Sequence, residues 1–413
     1  MNRRLALAVS ISLACVGGLS ATAQAAFPGG NGRVIYTLDR ETGPLELSIV
    51  DPATLVSNPF VPDANFSSSA ASWSPDGTRV AMIRQGQTMS STFNIWVANA
   101  DGSGLRQVTF GTGEIDPSWS PDGHHIVFVG SAGLDILNVD DPTDTPHSIP
   151  GTDGSSATPV WSPDGTLIAY EHFANPDELD VIQPDGGGFR TINFAPTSPS
   201  HLADETPAWT PDSSRVYFAQ GAFVLGCTAS PPFQIMSVSR NGGSTAPFSQ
   251  NPSISEYGPV PSPDGKLIAF TRCDDPTNDH DHIYVAGLDG SGAHALTSGD
   301  HYDNDPNWQP TAPQIGSAPT ITGNAVNNQT LTATAGASDG TSSTTLQFVR
   351  CNAQGASCVP IPGASASRAH SAAASAKYKL TSTDLGHAIR LHEVDTNAVG
   401  SSATDSAPTG SVV

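Results

Sequence analysis

Only three lysines, Lys266, Lys377 and Lys379, occur in a chain of 413 residues. Charged residues of every kind make up 14%, against roughly 25% in ordinary soluble domains, and the charge is one-sided. Asp and Glu number 39 against 17 Lys and Arg, giving a formal net charge of −22. A field of that sign repels phosphate, which argues against nucleic acid and anionic membrane surfaces as partners and leaves cations and basic protein segments. Long apolar runs are missing too. The run from Leu5 to Val16 is too short to span a bilayer, so no transmembrane segment is expected. Also absent are a Gly-x-Ser-x-Gly elbow, a His-Glu-x-x-His pair, a phosphate-binding Gly-Lys loop and a Cys-x-x-Cys pair, the local signatures of hydrolases, zinc peptidases, nucleotide sites and dithiol chemistry. No cofactor and no metal is assigned from the sequence.

The short apolar run has a different meaning. Arg3 and Arg4 precede it and Ala23-Gln24-Ala25 follows it, which is the plan of a secretory leader over residues 1–25, with Ala26 or Phe27 opening the mature chain. Cys15 follows Ser12-Leu13-Ala14 and lacks the apolar residue that a lipid-anchoring signal carries three positions upstream. The expectation is an exported, monomeric protein, secreted or in the cell envelope (the periplasm of a Gram-negative cell). Export makes Cys227, Cys273, Cys351 and Cys358 disulfide candidates, and four cysteines allow three pairings.

Gly (40) and Pro (34) are plentiful, and many of them belong to a repeated phrase. Ser72-Trp73-Ser74-Pro75-Asp76-Gly77 returns at Trp119, at Trp161, at Trp209 with Ser213 in the glycine place, and at Pro261 with Pro in the tryptophan place. A worn copy, Asn307-Trp308-Gln309-Pro310, ends the series. The spacings are 46, 42, 48, 52 and 47 residues. Within each period the Pro-Asp-Gly segment reads as a β-turn, with Pro presetting φ, Asp bonding locally and Gly accepting positive φ. Short apolar strands follow, such as Arg79-Val80-Ala81-Met82-Ile83 and Asn94-Ile95-Trp96-Val97. Four short antiparallel strands at a period of 40 to 50 residues make one propeller blade. Second strands and first strands each count to six but are offset, so the chain opens on a second strand and ends on a first. Pairing Asp305–Gln309 with Arg33–Thr37 would close the ring and leave no orphan edge. The fold class expected is therefore all-β: a six-bladed β-propeller over residues 27–310, a Pro- and Ala-rich linker over 311–319, and a small β-sandwich over 320–413.

The Trp-Ser-Pro-Asp-Gly phrase with its Ile-Ala-Phe strands resembles the repeat of TolB-like propellers, over about 280 residues from Gly32 to Gln309. In TolB itself an α/β domain precedes the propeller; here Phe27 to Asn31 separate the cleavage site from the first strand. The repeats also resemble the propellers of prolyl-oligopeptidase-type enzymes, which work beside a hydrolase domain. The C-terminal segment resembles immunoglobulin-like repeats of exported bacterial proteins, through Leu346-Gln347-Phe348-Val349-Arg350-Cys351, Gly355-Ala356-Ser357-Cys358 and Tyr378-Lys379-Leu380-Thr381. Phe348 stands where that family usually has Trp. The resemblance implies a Cys351–Cys358 bridge across a tight loop. Cys227 and Cys273 follow the second strands of adjacent repeats, in loops expected on one face of the ring, so a second bridge is expected between them, the alternative being two unpaired thiols.

One pattern rises above scaffold. Five residues before each tryptophan position stand Ser68, Glu114, Ser156, Asp204, Glu256 and Asp303, and three before it Ala70, Asp116, Thr158, Thr206, Gly258 and Asp305. The acids of these columns are expected to ring one mouth of the central channel, where they would hold a basic peptide or a cation. Against this stands the plainer reading that they cap loops. A second acidic stretch, Cys273-Asp274-Asp275 through Asp279-His280-Asp281-His282, lacks EF-hand spacing and reads as a solvated loop. The functional expectation is a non-catalytic scaffold that docks an envelope or extracellular protein, or an extracellular polymer. The rival is a propeller hydrolase or lyase with a metal at the channel mouth, kept open by His201 and His301 beside the acidic column.

Overall fold

The computed structural model describes residues 24–88, 92–174, 177–194, 202–222, 232–275, 280–340, 343–369, 374–397 and 399–413. Residues 1–23 of the expected leader, Cys227 and His201 lie outside them. Two compact units divide the chain: Met1–Phe27 with Gly32–Pro310, and Pro28–Asn31 with Thr311–Val413.

The repeated phrase builds the first unit locally. In the first copy the Ser74 hydroxyl donates to Asp76 (2.5 Å) and accepts from the Arg79 backbone N–H (2.9 Å), while Asp76 accepts from the Thr78 N–H (3.0 Å). The next position is left-handed in every full copy, with φ of 66° at Gly77 and 57° at Ser213. Glycine there also lets neighbouring copies touch: a Cβ on Gly165 would come within 3.1 Å of the Pro121 ring, and one on Gly77 would strike the Pro310 carbonyl. Pro-Asp-Gly thus sets a turn and seats it on the turn before.

Six sheets follow from these turns, five of four antiparallel strands and one of four antiparallel strands extended by a short parallel strand. We number them by their inner strands: Phe66–Trp73, Ile115–Trp119, Ser156–Trp161, Leu202–Trp209, Glu256–Pro261 and Tyr302–Thr311. The sixth is shared between the two ends of the series, in the order Tyr302–Thr311, Gly30–Asp39, Glu46–Asp51, Val56–Phe60. Apolar clusters join the sheets in a circle. One runs through sheets one to four around Trp119, Phe128, Ala169 and Trp209. Others join four to five through Phe218's neighbour Tyr217 and Phe270, five to six through Val260 and Trp308, and six to one through Ile35 and Trp73. Inner strands are also stitched directly: Trp119 and Trp209 indoles donate to the Ser72 and Val160 carbonyls (both 3.1 Å), and the Trp73 N–H donates to the Asn307 side chain (2.8 Å) across the closure.

The end of the expected leader, and Ala26 and Phe27 after it, are part of this unit. Gln24–Ala25 pairs in parallel with Ala208–Trp209. Ala26 and Phe27 are each 2% exposed, and Phe27 packs in the cluster that holds Trp119 and Trp209. Apolar contact with four sheets outweighs the freedom of a short connector.

The second unit packs two sheets on one core. Thr320–Thr322, Thr330–Thr334 and Ser375–Lys379 form one; Val359–Ala369, Ser343–Cys351, Ala388–Thr396 and Ser401–Asp405 form the other. Leu331, Leu346, Phe348, Ile389 and Leu391 fill the space between them. Cys351 and Cys358 are bridged. Cys273 is also disulfide-bonded. The stretch 311–319 is not a free tether: Gln314–Ile315 pairs with Ser338–Asp339, and the Gly316 N–H donates to the Ala337 carbonyl (2.8 Å). Backbone groups there find strand partners that Pro-rich composition does not reveal.

Candidate functional site

The column three residues before the tryptophan has an unusual backbone. Ala70, Asp116, Thr158, Thr206, Gly258 and Asp305 all adopt left-handed conformations, with φ between 46° and 59°. At each of the first five the pairing with the second strand slips, as between Ser69 and Ser72 or Ala157 and Val160. Each of the first five inner strands therefore carries a bulge at one level, and Asp305 on the sixth shares the left-handed backbone. A left-handed residue other than glycine costs about 1–2 kcal/mol, and five of the six are not glycine. Bulges re-aim side chains and N–H groups away from the ladder.

The groups so aimed bond around the ring. The Ala70 N–H donates to the Thr37 hydroxyl (3.2 Å), which donates to Asp305 Oδ2 (3.2 Å). Asp116 accepts from the Thr158 N–H and senses the Asp305 carboxylate, and burial, then that neighbour, lift its pKa to about 7. All six residues are buried, with Asp116 only 6% and Asp305 9% exposed.

The column two residues earlier behaves differently. Glu114 turns toward sheet one and accepts from the Asn94 amide (2.8 Å) and the Thr109 hydroxyl (3.3 Å). Glu256 accepts from Arg272 Nε (2.9 Å) and Nη2 (2.5 Å). Asp303 is fully buried with His301 Nε2 at 3.4 Å, and desolvation lifts its pKa to about 7. Asp204 pairs with Gln220 in the strand ladder, and its side chain is not among those described. The acids thus occupy two levels, Asp116 and Asp305 in the ring of bulges, with Glu114 and Glu256 held by hydrogen bonds at its rim and Asp303 buried there beside His301. Basic groups share that rim: Arg84, 2% exposed, meets Asp63 at 3.2 Å and stacks over Phe66.

The acidic stretch of sheet five is not a solvated loop where it is described. His280–Gly287 is a strand. Asp281 (1% exposed) accepts from the Tyr257 hydroxyl (2.7 Å), and His282 Nε2 lies 3.0 Å from the Gly299 carbonyl.

Residues 31–222 match the TolB beta propeller domain family. TolB from Acinetobacter baumannii shares the fold, with a TM-score of 0.54 at 16% identity over 68% of this chain and 67% of that one. The chain carries a β-propeller with the TolB-like fold. A chain of the nidogen/laminin complex is similar in fold as well, with a TM-score of 0.52 at 10% identity over 68% of this chain and 99% of its own.

The TolB-type propeller also holds a cluster that sequence reading missed. In sheet three the second strand Ile168–His172 pairs with the third, Glu178–Ile182, so that His172 opposes Glu178 and Tyr170 opposes Asp180. His172 Nδ1 lies 3.4 Å from Asp180 Oδ2 and 3.7 Å from Glu178 Oε2, and His172 Nε2 lies 3.7 Å from Asp153 Oδ1. Asp180 is fully buried, and burial pushes its carboxyl above the usual range. The available signal was alternation: Glu178-x-Asp180 puts both acids on one face of a strand, but only the register adds the histidine.

Proposed function

We propose that this TolB-type propeller is an exported, non-catalytic docking scaffold whose rim receives a basic segment of an envelope or extracellular protein. The bonded acidic rim is the observation that supports this reading. Phe27 is buried in the propeller core and the bulge ring is buried too, so a partner would be met on the face. The face on the acidic side is ordered by its own bonds: Arg84, Glu114 and Glu256 are each held by a partner, so little side-chain freedom is lost on docking. A net charge of −22 favours a basic partner and steers it at low salt. A propeller of similar fold occurs in a protein–protein assembly, the nidogen/laminin complex. Among the described residues no helix is long and apolar enough to cross a membrane, which accords with export.

The test is capture from cell-envelope extract by the exported chain, beside a Glu41→Lys/Asp300→Lys variant. Both residues are exposed on loops at the acidic rim. A protein retained by the wild type, released by salt and lost with the variant supports the proposal. Equal capture by both, or none by either, removes it.

A further inference from the structure

We propose that His172, Glu178 and Asp180 form a divalent transition-metal site, with zinc as the natural probe, at the rim of sheet three. This inference is independent of the docking proposal.

The separations carry the argument. A protonated histidine bonded to a carboxylate closes to about 2.7–2.9 Å. Here His172 Nδ1 stands 3.4 Å from Asp180 and 3.7 Å from Glu178, and none of these contacts is a hydrogen bond. Two ligands each about 2.0–2.1 Å from a tetrahedral zinc stand about 3.3–3.4 Å apart. The three donor atoms lie within 4.8 Å of one another, so a single ion can reach all of them.

A second observation points the same way. Both oxygens of Asp180 and the Nδ1 of His172 are buried without a hydrogen-bond partner, and the Asp180 side chain is 0% exposed. A fully buried carboxylate left unbonded is costly. A cation between it and the imidazole would satisfy all three atoms. One nitrogen and two carboxylate oxygens suit zinc and its neighbours better than calcium, which takes six to eight oxygens.

The surroundings fit as well. Asp153 lies on the far side of the imidazole, 3.7 Å from Nε2, where a carboxylate would fix the tautomer that frees Nδ1 for the metal. The side chains of His172 and Glu178 keep 27% and 24% of their exposure, which leaves an open position for water or for a ligand from the partner side.

The experiment uses the full exported chain, stripped with chelator and dialysed against zinc chloride. Elemental analysis should find one retained equivalent. Cobalt in place of zinc should give the intense visible absorption of a tetrahedral site. His172→Ala and Asp180→Asn should each abolish retention, and Asp153→Asn should weaken affinity by roughly 10-fold or more. Glu178→Gln is the variant least exposed to folding failure, being isosteric and partly solvated. It should lose zinc with an unchanged metal-free melting curve. No retention by the wild type, or retention that His172→Ala and Glu178→Gln leave intact, would overturn the site. Calcium binding indifferent to His172→Ala would overturn it equally.

Discussion

Asp116 shows how one side chain couples the ring to pH. Its folded pKa of about 7 lies above its ordinary value of 3.8. The folded state therefore holds a proton that the unfolded state has released across that interval. Stability from this group falls as pH rises from about 4 to 7 and is flat beyond. Asp303 is raised to the same value and adds a slope of the same sign. Asp116→Asn keeps an acceptor for the Thr158 N–H and removes the charge. We expect this variant to melt higher than wild type at pH 8, with the gain gone below pH 4, in paired thermal melts. An equal gain at both pH values would place the effect elsewhere than in the proton.

At the scale of elements, the legible parts are those whose geometry is chosen locally. Ser-Pro-Asp-Gly selects its turn within four residues, so turns, strand starts and the shared sixth sheet could all be read from spacing. The bulges could not. Left-handed φ is a glycine habit, yet Ala70, Thr158 and Thr206 adopt it, because five inner strands share one register slip and the ladder overrides residue preference. The same limit hid His172 with Asp180, which only strand register brings together, and the seat of Phe27, which four distant sheets create. The acidic column was visible as a column, but its division into a ring of bulges and a bonded rim was not. In the second unit the Cys351–Cys358 bridge closes a loop that chain entropy values at about 2.5 kcal/mol. Cys351→Ser/Cys358→Ser should lower the melting of the isoleucine- and leucine-lined sandwich by several degrees. Hydrogen exchange should report that loss there and leave the propeller sheets protected.

For the whole molecule the shared sixth sheet decides cooperativity. Tyr302–Thr311 covers the edge of Gly30–Asp39, and residues on both strands join sheets five and one to the circle. A chain ending before Asp303 should lose the sharp unfolding transition of the entire propeller rather than of one sheet. Calorimetry of that truncation beside the full chain would show it; an unchanged propeller transition would mean that the ring holds without its clasp.

The clasp also sets a clock. Arg33-Val34-Ile35-Tyr36-Thr37-Leu38 is among the first propeller segments to be made, and the strand that covers it is separated from it by some two hundred and seventy residues. Until that strand arrives, a β-branched, almost uncharged segment waits with one edge bare, a template for pairing with another copy of itself. Chain concentration at the site of folding, and whatever shields that edge meanwhile, should govern yield more than the final stability does. A holdase during transit would protect one named stretch of six residues.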